Sequence, residues 1–372
     1  MDRLKLLDAG LKAFDASLPD VAPPLCLVTR YRGSSCRLCL DSCPTAAITT
    51  TKWLAVEPQR CTSCGACAAV CKTGALSYVA RQGALRKRLR GLSAQGAHTV
   101  VLACRRAGAA APDAAAAPAA APDAAVLATV QSRIVVACLG GLAAADLIAA
   151  AAFGLETIEL VSGDCATCAD AVAGAAVEPT RAAAAEVFLA FDAHVACTRR
   201  SVPGGEPQAA AEAPAMSRAG LFSYVAQGLR RTVVEGSAPD KRGVAELHRQ
   251  APPPVTSGWL RGDLARLASA APAVPARSAR EVRAAAERLP ARLPLGAVAV
   301  SAVCDGCGLC VRYCPHGALA LQEDHLVVDG ATCSGCGLCA EVCPPAALAV
   351  EPAPLPLRPA ADNVAPFRGV LL

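Results

Sequence analysis

Apolar and polar positions follow two different rhythms along the chain. Near both ends, short β-prone runs follow Cys-rich segments: Ala47–Thr50, Ala75–Val79, Ala318–Leu321 and Ala347–Val350. Residues 53–56 and 326–328 offer partner strands. Between them, residues 97–200 carry longer apolar bursts. Thr99–Ala103, Arg133–Ala137 and Thr157–Val161 read as buried strands, 142–153 and 180–191 as helices, and 193–196 as a last strand. Strands alternating with helices predict a parallel α/β sheet. Beyond residue 200 the rhythm turns helical. Leu221, Phe222, Val225, Leu229 and Val233 recur at helical spacing behind a Ser217 cap, and Ser278-Ala-Arg-Glu281 is a capping box. Pro252, Pro253, Pro254, Pro272 and Pro275 interrupt this stretch.

Composition sharpens the picture. The 372 residues are 54% hydrophobic but only 3% aromatic, so much of the apolar content is alanine. Such a chain builds thin cores, and bound metal is expected to contribute folding free energy. The formal charge of +5 treats every thiol as neutral. Thiols deprotonated to thiolates would pull this total down. Basicity therefore gives no reason to expect a nucleic-acid partner. The N-terminus lacks a signal-peptide apolar core, and no uninterrupted apolar run is long enough for an integral membrane segment. With 21 Cys at two- and three-residue gaps, a reducing, cytoplasmic setting is expected rather than a disulfide framework.

The cysteines carry the chemistry. Cys304-Asp-Gly-Cys307-Gly-Leu-Cys310-Val-Arg-Tyr-Cys314-Pro315 returns as Cys333-Ser-Gly-Cys336-Gly-Leu-Cys339-Ala-Glu-Val-Cys343-Pro344. This doubled C-x2-C-x2-C-x3-C-P run resembles the bacterial two-cluster ferredoxin pattern. Three thiolates at three-residue steps can reach three irons of one cubane, and the fourth points to the other cluster. The expected ligand sets are Cys304, Cys307, Cys310 and Cys343 for one [4Fe–4S] cluster, and Cys333, Cys336, Cys339 and Cys314 for its neighbour. Zinc, the alternative for paired C-x2-C, rarely uses this stepping.

An altered copy lies within residues 1–95. Cys61-Thr-Ser-Cys64-Gly-Ala-Cys67-Ala-Ala-Val-Cys71 is complete, but Lys72 replaces the usual proline. Upstream, Cys36-Arg-Leu-Cys39-Leu-Asp-Ser-Cys43-Pro44 lacks its first ligand, because Gly33 stands at the position equivalent to Cys61. Cys26 is the natural substitute. The expected sets are Cys26, Cys36, Cys39 and Cys71, and Cys61, Cys64, Cys67 and Cys43. Arg81, Arg86, Lys87, Arg88 and Arg90 follow, either as a solvated helix face or as a docking patch for an acidic redox partner.

In the middle region Cys104, Cys138 and Cys197 are expected at strand ends, with Cys165/Cys168 just past one. In an open parallel sheet ligands gather beyond the carboxyl ends of strands. The strand-end thiols, the Cys-Leu-Gly-Gly turn at 138–141 and Gly163-Asp-Cys-x2-Cys168 resemble the methyl-viologen-reducing hydrogenase delta-subunit family. That resemblance implies a [2Fe–2S] site at Cys104, Cys138, Cys165 and Cys168, with Cys197 a spare candidate. Zinc, or metal-free thiols including a Cys165/Cys168 thiol–disulfide reductase, are the alternatives.

The expected fold class is α+β multidomain. Two ferredoxin-like dicluster modules, 1–95 and 291–372, surround a small α/β parallel-sheet domain, 96–200, joined by a partly helical linker, 201–290. The sequence has no dinucleotide-binding glycine motif, no P-loop and no C-x3-C-x2-C. Clusters fully ligated by Cys leave one-electron transfer as the available chemistry. The expectation is an electron carrier with four [4Fe–4S] clusters, with no catalytic residues of its own. It would work alone or as a subunit beside a flavin- or molybdenum-containing oxidoreductase of the hydrogenase, formate dehydrogenase or heterodisulfide reductase kind.

Overall fold

The structure is a computed structural model that describes residues 18–107, 132–203, 255–270, 293, 295–322, 325–351 and 364–366. The helices expected behind Ser217 and Ser278 lie outside the described residues.

The N-terminal region builds β1 (Asp20–Val21), α1 (Leu27–Arg30), α2 (Leu38–Ser42), β2 (Ile48–Thr49), β3 (Ala55–Val56), α3 (Ala66–Val70) and β4 (Leu76–Ser77). β2 pairs antiparallel with β3, and β1 closes back on β4 with Val21 opposite Leu76. Each Cys loop thus feeds a one-turn helix and then a short strand. Ile48, Leu54, Ala75 and Leu76 form a small core with Cys26 and Cys67. Helix α4 (Val79–Ala94) leaves the module at once, where the sequence pattern suggested that a strand would run to Val79.

The middle region holds β5 (Thr99–Cys104), β6 (Arg133–Val136), α5 (Ala144–Ala152), β7 (Thr157–Ser162), α6 (Ala171–Gly174), α7 (Val177–Ala190) and β8 (Ala196–Ser201). The four strands are all parallel, in the order β6-β5-β7-β8. One expectation needs correction. The last strand starts at Ala196 rather than ending near it, and Cys197 pairs with Ile158 near the start of β7. Cys197 therefore sits at the opposite end of the sheet from the other four thiols. Apolar patterning stopped the predicted strand before Arg199 and Arg200. An edge strand tolerates such residues, and here Arg200 pairs with Glu159 on β7.

Helix α5 is the centre of the main core. Its sequence is almost entirely Ala, Leu and Ile, and small side chains let neighbouring helices approach closely. Leu85, Leu89 and Leu92 of α4, Val187 and Phe188 of α7, and Leu260, Leu264 and Leu267 of α8 (Val255–Ala270) share a buried cluster with its Leu147 and Ile148. Helix α8 lies inside the Pro-rich stretch read as linker, yet it is core. The basic run on α4 also has inward partners. Arg86 makes a bidentate pair with the fully buried Asp263 at 2.6 and 2.8 Å, Arg81 donates to Ser63 O, and Arg88 donates to Arg133 O. Arg81 and Arg86 are thus half-buried against inward partners, whereas Arg88 stays exposed, as a solvated helix face would have it. Arg90 lies over the Phe153 ring, and Lys87 is exposed.

The C-terminal region repeats the first plan with β9 (Ala297–Val300), α9 (Leu309–Tyr313), β10 (Leu319–Gln322), β11 (His325–Val328), α10 (Leu338–Glu341), β12 (Leu348–Glu351) and β13 (Val364–Pro366). β9 pairs with β12 as β1 does with β4, β10 pairs with β11, and β13 extends that hairpin.

Candidate iron–sulfur sites

The four cysteines that end the motifs share one backbone device. Three residues after Cys43, Cys71, Cys314 and Cys343 stand Ala46, Gly74, Gly317 and Ala346, all with positive φ (49°, 68°, 67° and 50°). The chain therefore hooks left-handed and brings the next N–H back over the sulfur. Ala47, Ala318 and Ala347 N–H donate to the Sγ of Cys43, Cys314 and Cys343 at 3.2–3.3 Å. Alanine at this next position is nearly fully buried in all four copies, which leaves the backbone close to the sulfur. Non-glycine residues at Ala46 and Ala346 carry backbone strain for it. Left-handed glycines also open three of the four one-turn helices: Gly65, Gly308 and Gly337. The exception is α2, where Arg37 precedes the helix in the altered motif.

The thiols sort into sets. Cys36 and Cys39 lie within electrostatic reach of Cys26 and Cys71. Cys67 faces Cys64, Cys61 and Cys43. Cys310 faces Cys304, Cys307 and Cys343, and those four line one cavity with Gly306 and Gly308. Cys339 faces Cys336, Cys333 and Cys314. Each group brings together cysteines of one expected ligand set, and Cys26 is buried and delivered as the residue before α1. We name them, from the C-terminal side, the outer C-terminal, inner C-terminal, inner N-terminal (Cys26, Cys36, Cys39, Cys71) and outer N-terminal (Cys43, Cys61, Cys64, Cys67) sets.

Burial, and then the neighbouring thiols, push the Cys39 and Cys339 thiols up to about 12 and Cys310 up to about 11. Crowded buried thiolates of this kind persist only with positive charge among them, which metal provides. Among the described residues no three His, Cys, Asp or Glu side chains converge as a single metal ion requires. All 21 thiols are free.

The middle region gathers a fifth group. Cys104, Cys138, Cys165 and Cys168 line one cavity at the carboxyl end of the parallel sheet, with Asp164 and Asp170 beside them. Gly163 N–H donates to Cys104 Sγ and Asp170 N–H to Cys168 Sγ. Burial pushes Cys138 up to about 12. Cys197 is absent from this cavity, and burial raises its thiol to about 11 beside Arg181. Replacing Cys197 by Ser should leave iron content unchanged, as measured by metal analysis after anaerobic reconstitution; a loss of iron would return it to the ligand list.

Neighbouring sets touch. Cys138 lies within reach of Cys64, and the turn at Gly141 packs on the Cys64 loop so closely that a Cβ there would sit 2.2 Å from Cys64 O. Thr62 donates to the buried Asp170 at 2.6 Å, and Arg105 donates to Thr62 O. Cys39 lies within reach of Cys67, and Cys310 within reach of Cys339. The two Cys-rich modules meet where Leu27, Leu338 and Val342 pack with Cys36, Cys336, Tyr31 and Tyr313. The tyrosine rings stand edge to face, 5.7 Å apart. Across this seam Ser35 bonds Glu341, Arg30 donates to Tyr313 O and Cys314 O, and Lys72 donates to Gly335 O. Sequence pattern pointed to Lys72 only as a missing proline. Arg30, Asp170 and Arg261 gave no signal, because they meet partners 283–284, 108 and 69–72 residues away in the chain.

Residues 34–75 and 303–347 match the 4Fe-4S dicluster domain family. No curated protein and no solved structure matches the chain. The chain thus carries a [4Fe–4S] dicluster domain in each of its terminal regions, flanking a four-stranded parallel sheet, and an iron–sulfur electron-transfer role follows. Among the described residues no helix is long and apolar enough to cross a membrane.

Proposed function

We propose that the chain is a one-electron relay with four [4Fe–4S] stations in a single file: outer C-terminal, inner C-terminal, inner N-terminal, outer N-terminal. The observation that carries this reading is the segregation of sixteen cysteines into four groups, each adjacent to the next. The bound clusters supply the redox chemistry, with potentials tuned by hydrogen bonds, charge and burial. The chain's own part is to hold them at fixed spacing, exclude water from the inner two and aim N–H groups at sulfur. The middle cavity extends the file by a fifth station, with Cys104, Cys138, Cys165 and Cys168 as ligands of a [2Fe–2S] cluster. One end of the file opens at Cys307, which is exposed, and the other at this cavity. Electrons enter at one opening and leave at the other, exchanged with a flavin- or molybdenum-containing oxidoreductase.

Anaerobic reconstitution tests the reading. About sixteen irons per chain are expected from four cubanes, and about eighteen with a two-iron centre. Material without acid-labile sulfide would end it. Cys26→Ser should cost about four irons and one EPR signal; an unaltered spectrum would remove Cys26 from its set. Cys165→Ser should cost about two irons, whereas intact iron with lost disulfide reductase activity would assign the middle cavity to thiol chemistry.

A further inference from the structure

The inner C-terminal set is enclosed by cations that its own module does not supply. Arg30, 4% exposed, reaches over from α1 and donates Nη2 to Cys314 O at 3.2 Å and Nε to Tyr313 O at 2.9 Å. Lys72 donates to Gly335 O, between Cys333 and Cys336, at 3.3 Å. Arg261 of α8 donates to Cys333 O at 3.2 Å and to Gly330 O at 2.6 Å. Its Nε is buried and has no hydrogen-bond acceptor among the described residues. Three elements remote in sequence thus deliver three positive groups to one ligand set, Arg30 at Cys314 and Lys72 and Arg261 at the Cys333 loop, with Asp329 beside Arg261.

The other sets are placed differently. The outer C-terminal loop carries Asp305, whose carboxylate accepts the Cys307 N–H, and Cys307 is open to water. The inner N-terminal set shares Lys72 but has Glu341 near Cys36. The outer N-terminal loop receives Arg81 and Arg105 at Ser63 O and Thr62 O, with buried Asp170 next to Cys64.

Adding an electron to a cluster makes it more negative, so fixed positive charge in a buried, weakly screening site favours the reduced form. We infer that the cluster held by Cys314, Cys333, Cys336 and Cys339 has the highest potential of the four cubanes, and that Arg30, Lys72 and Arg261 put it there. The inference rests on the ligand sets proposed above. Its consequence is a relay with a well at an inner station. An electron arriving from a reduced neighbouring cluster on either side comes to rest there. Docking of the two Cys-rich modules and of α8 is then part of how the potential is set.

Potentiometric EPR on the reconstituted full chain tests this. Among the described residues Arg261 donates to the inner C-terminal loop, whereas Lys72 lies between two sets. Arg261→Gln should therefore move one signal, the first to appear on reduction. The expected fall is about tenfold in the equilibrium constant for reduction, or 59 mV for a one-electron couple. Lys72→Met should move that signal and a second one. Arg261→Lys and Lys72→Arg should restore the wild-type titration, which a purely structural role would not predict. Iron and sulfide should match wild type throughout. If Arg261→Gln sheds iron, Arg261→Lys against Lys72→Met carries the comparison. Unmoved potentials at full iron content overturn the inference, as does a first-reduced signal that ignores both substitutions. A wild-type chain holding too little iron for four cubanes overturns it together with the ligand sets, and metal analysis tells that failure apart.

Discussion

Cys36→Ala should break the file of clusters at its centre. The variant is expected to lose about four irons per chain, since an alanine leaves the inner N-terminal set with three sulfurs. The larger effect is on through-transfer. Cys36 packs with Cys336 at the contact between the two Cys-rich modules. With that station gone, an electron from the C-terminal side would have to cross the whole inner N-terminal set in one step. Tunnelling falls steeply with distance, so the transfer rate should drop by orders of magnitude. A light-driven donor attached at Val303→Cys, a site 61% exposed beside the Cys304 loop, would start the electron at one end. Arrival in the outer N-terminal cluster can be followed by its EPR signal. Chemical reduction of the surviving clusters by a small reductant should be unaffected. Fast arrival in the absence of the inner N-terminal cluster would show that the stations do not lie in a single file.

Asp263→Ala should unfold much of the middle of the molecule at ordinary temperatures. The carboxylate is fully buried between α4 and α8 and accepts two hydrogen bonds from Arg86, which is only 11% exposed, and a third from Arg266. Removing it strands a buried guanidinium, a loss of about 3–5 kcal/mol. Stability of this size is a large part of what a domain possesses. Urea unfolding under anaerobic conditions measures it. The double variant Arg86→Met/Asp263→Leu should recover most of the loss, because an apolar pair of similar volume is often neutral or better. A single variant within 1 kcal/mol of wild type would mean that water reaches the pair.

Much of this arrangement is legible in the chain, and the reason is that cluster ligation is local. In three of the four cubanes, three of the four ligands lie within seven residues, so spacing alone groups Cys304, Cys307 and Cys310. The strands of the middle sheet are equally plain, since parallel strands covered on both faces read as continuous apolar runs. What escaped was non-local or contrary to pattern. The strand at Ala196–Ser201 carries arginines outward on a sheet edge. The two-residue strand Asp20–Val21 exists only because Leu76 is there to pair with. Helix α8 sits amid prolines and reads as connection, although its leucines fill the central core. The seam between the modules depends on Arg30 meeting carbonyls nearly three hundred positions later, for which no periodicity exists.

That last contact bears on how the molecule is made. Arg30 and Cys314 O are separated by 284 positions, so ribosomal synthesis releases the first long before the second exists. Domains generally fold as they emerge, and the N-terminal cysteines can take up iron early. The guanidinium of Arg30, meanwhile, waits for carbonyls not yet translated. The link between the two Cys-rich modules is therefore the last to close.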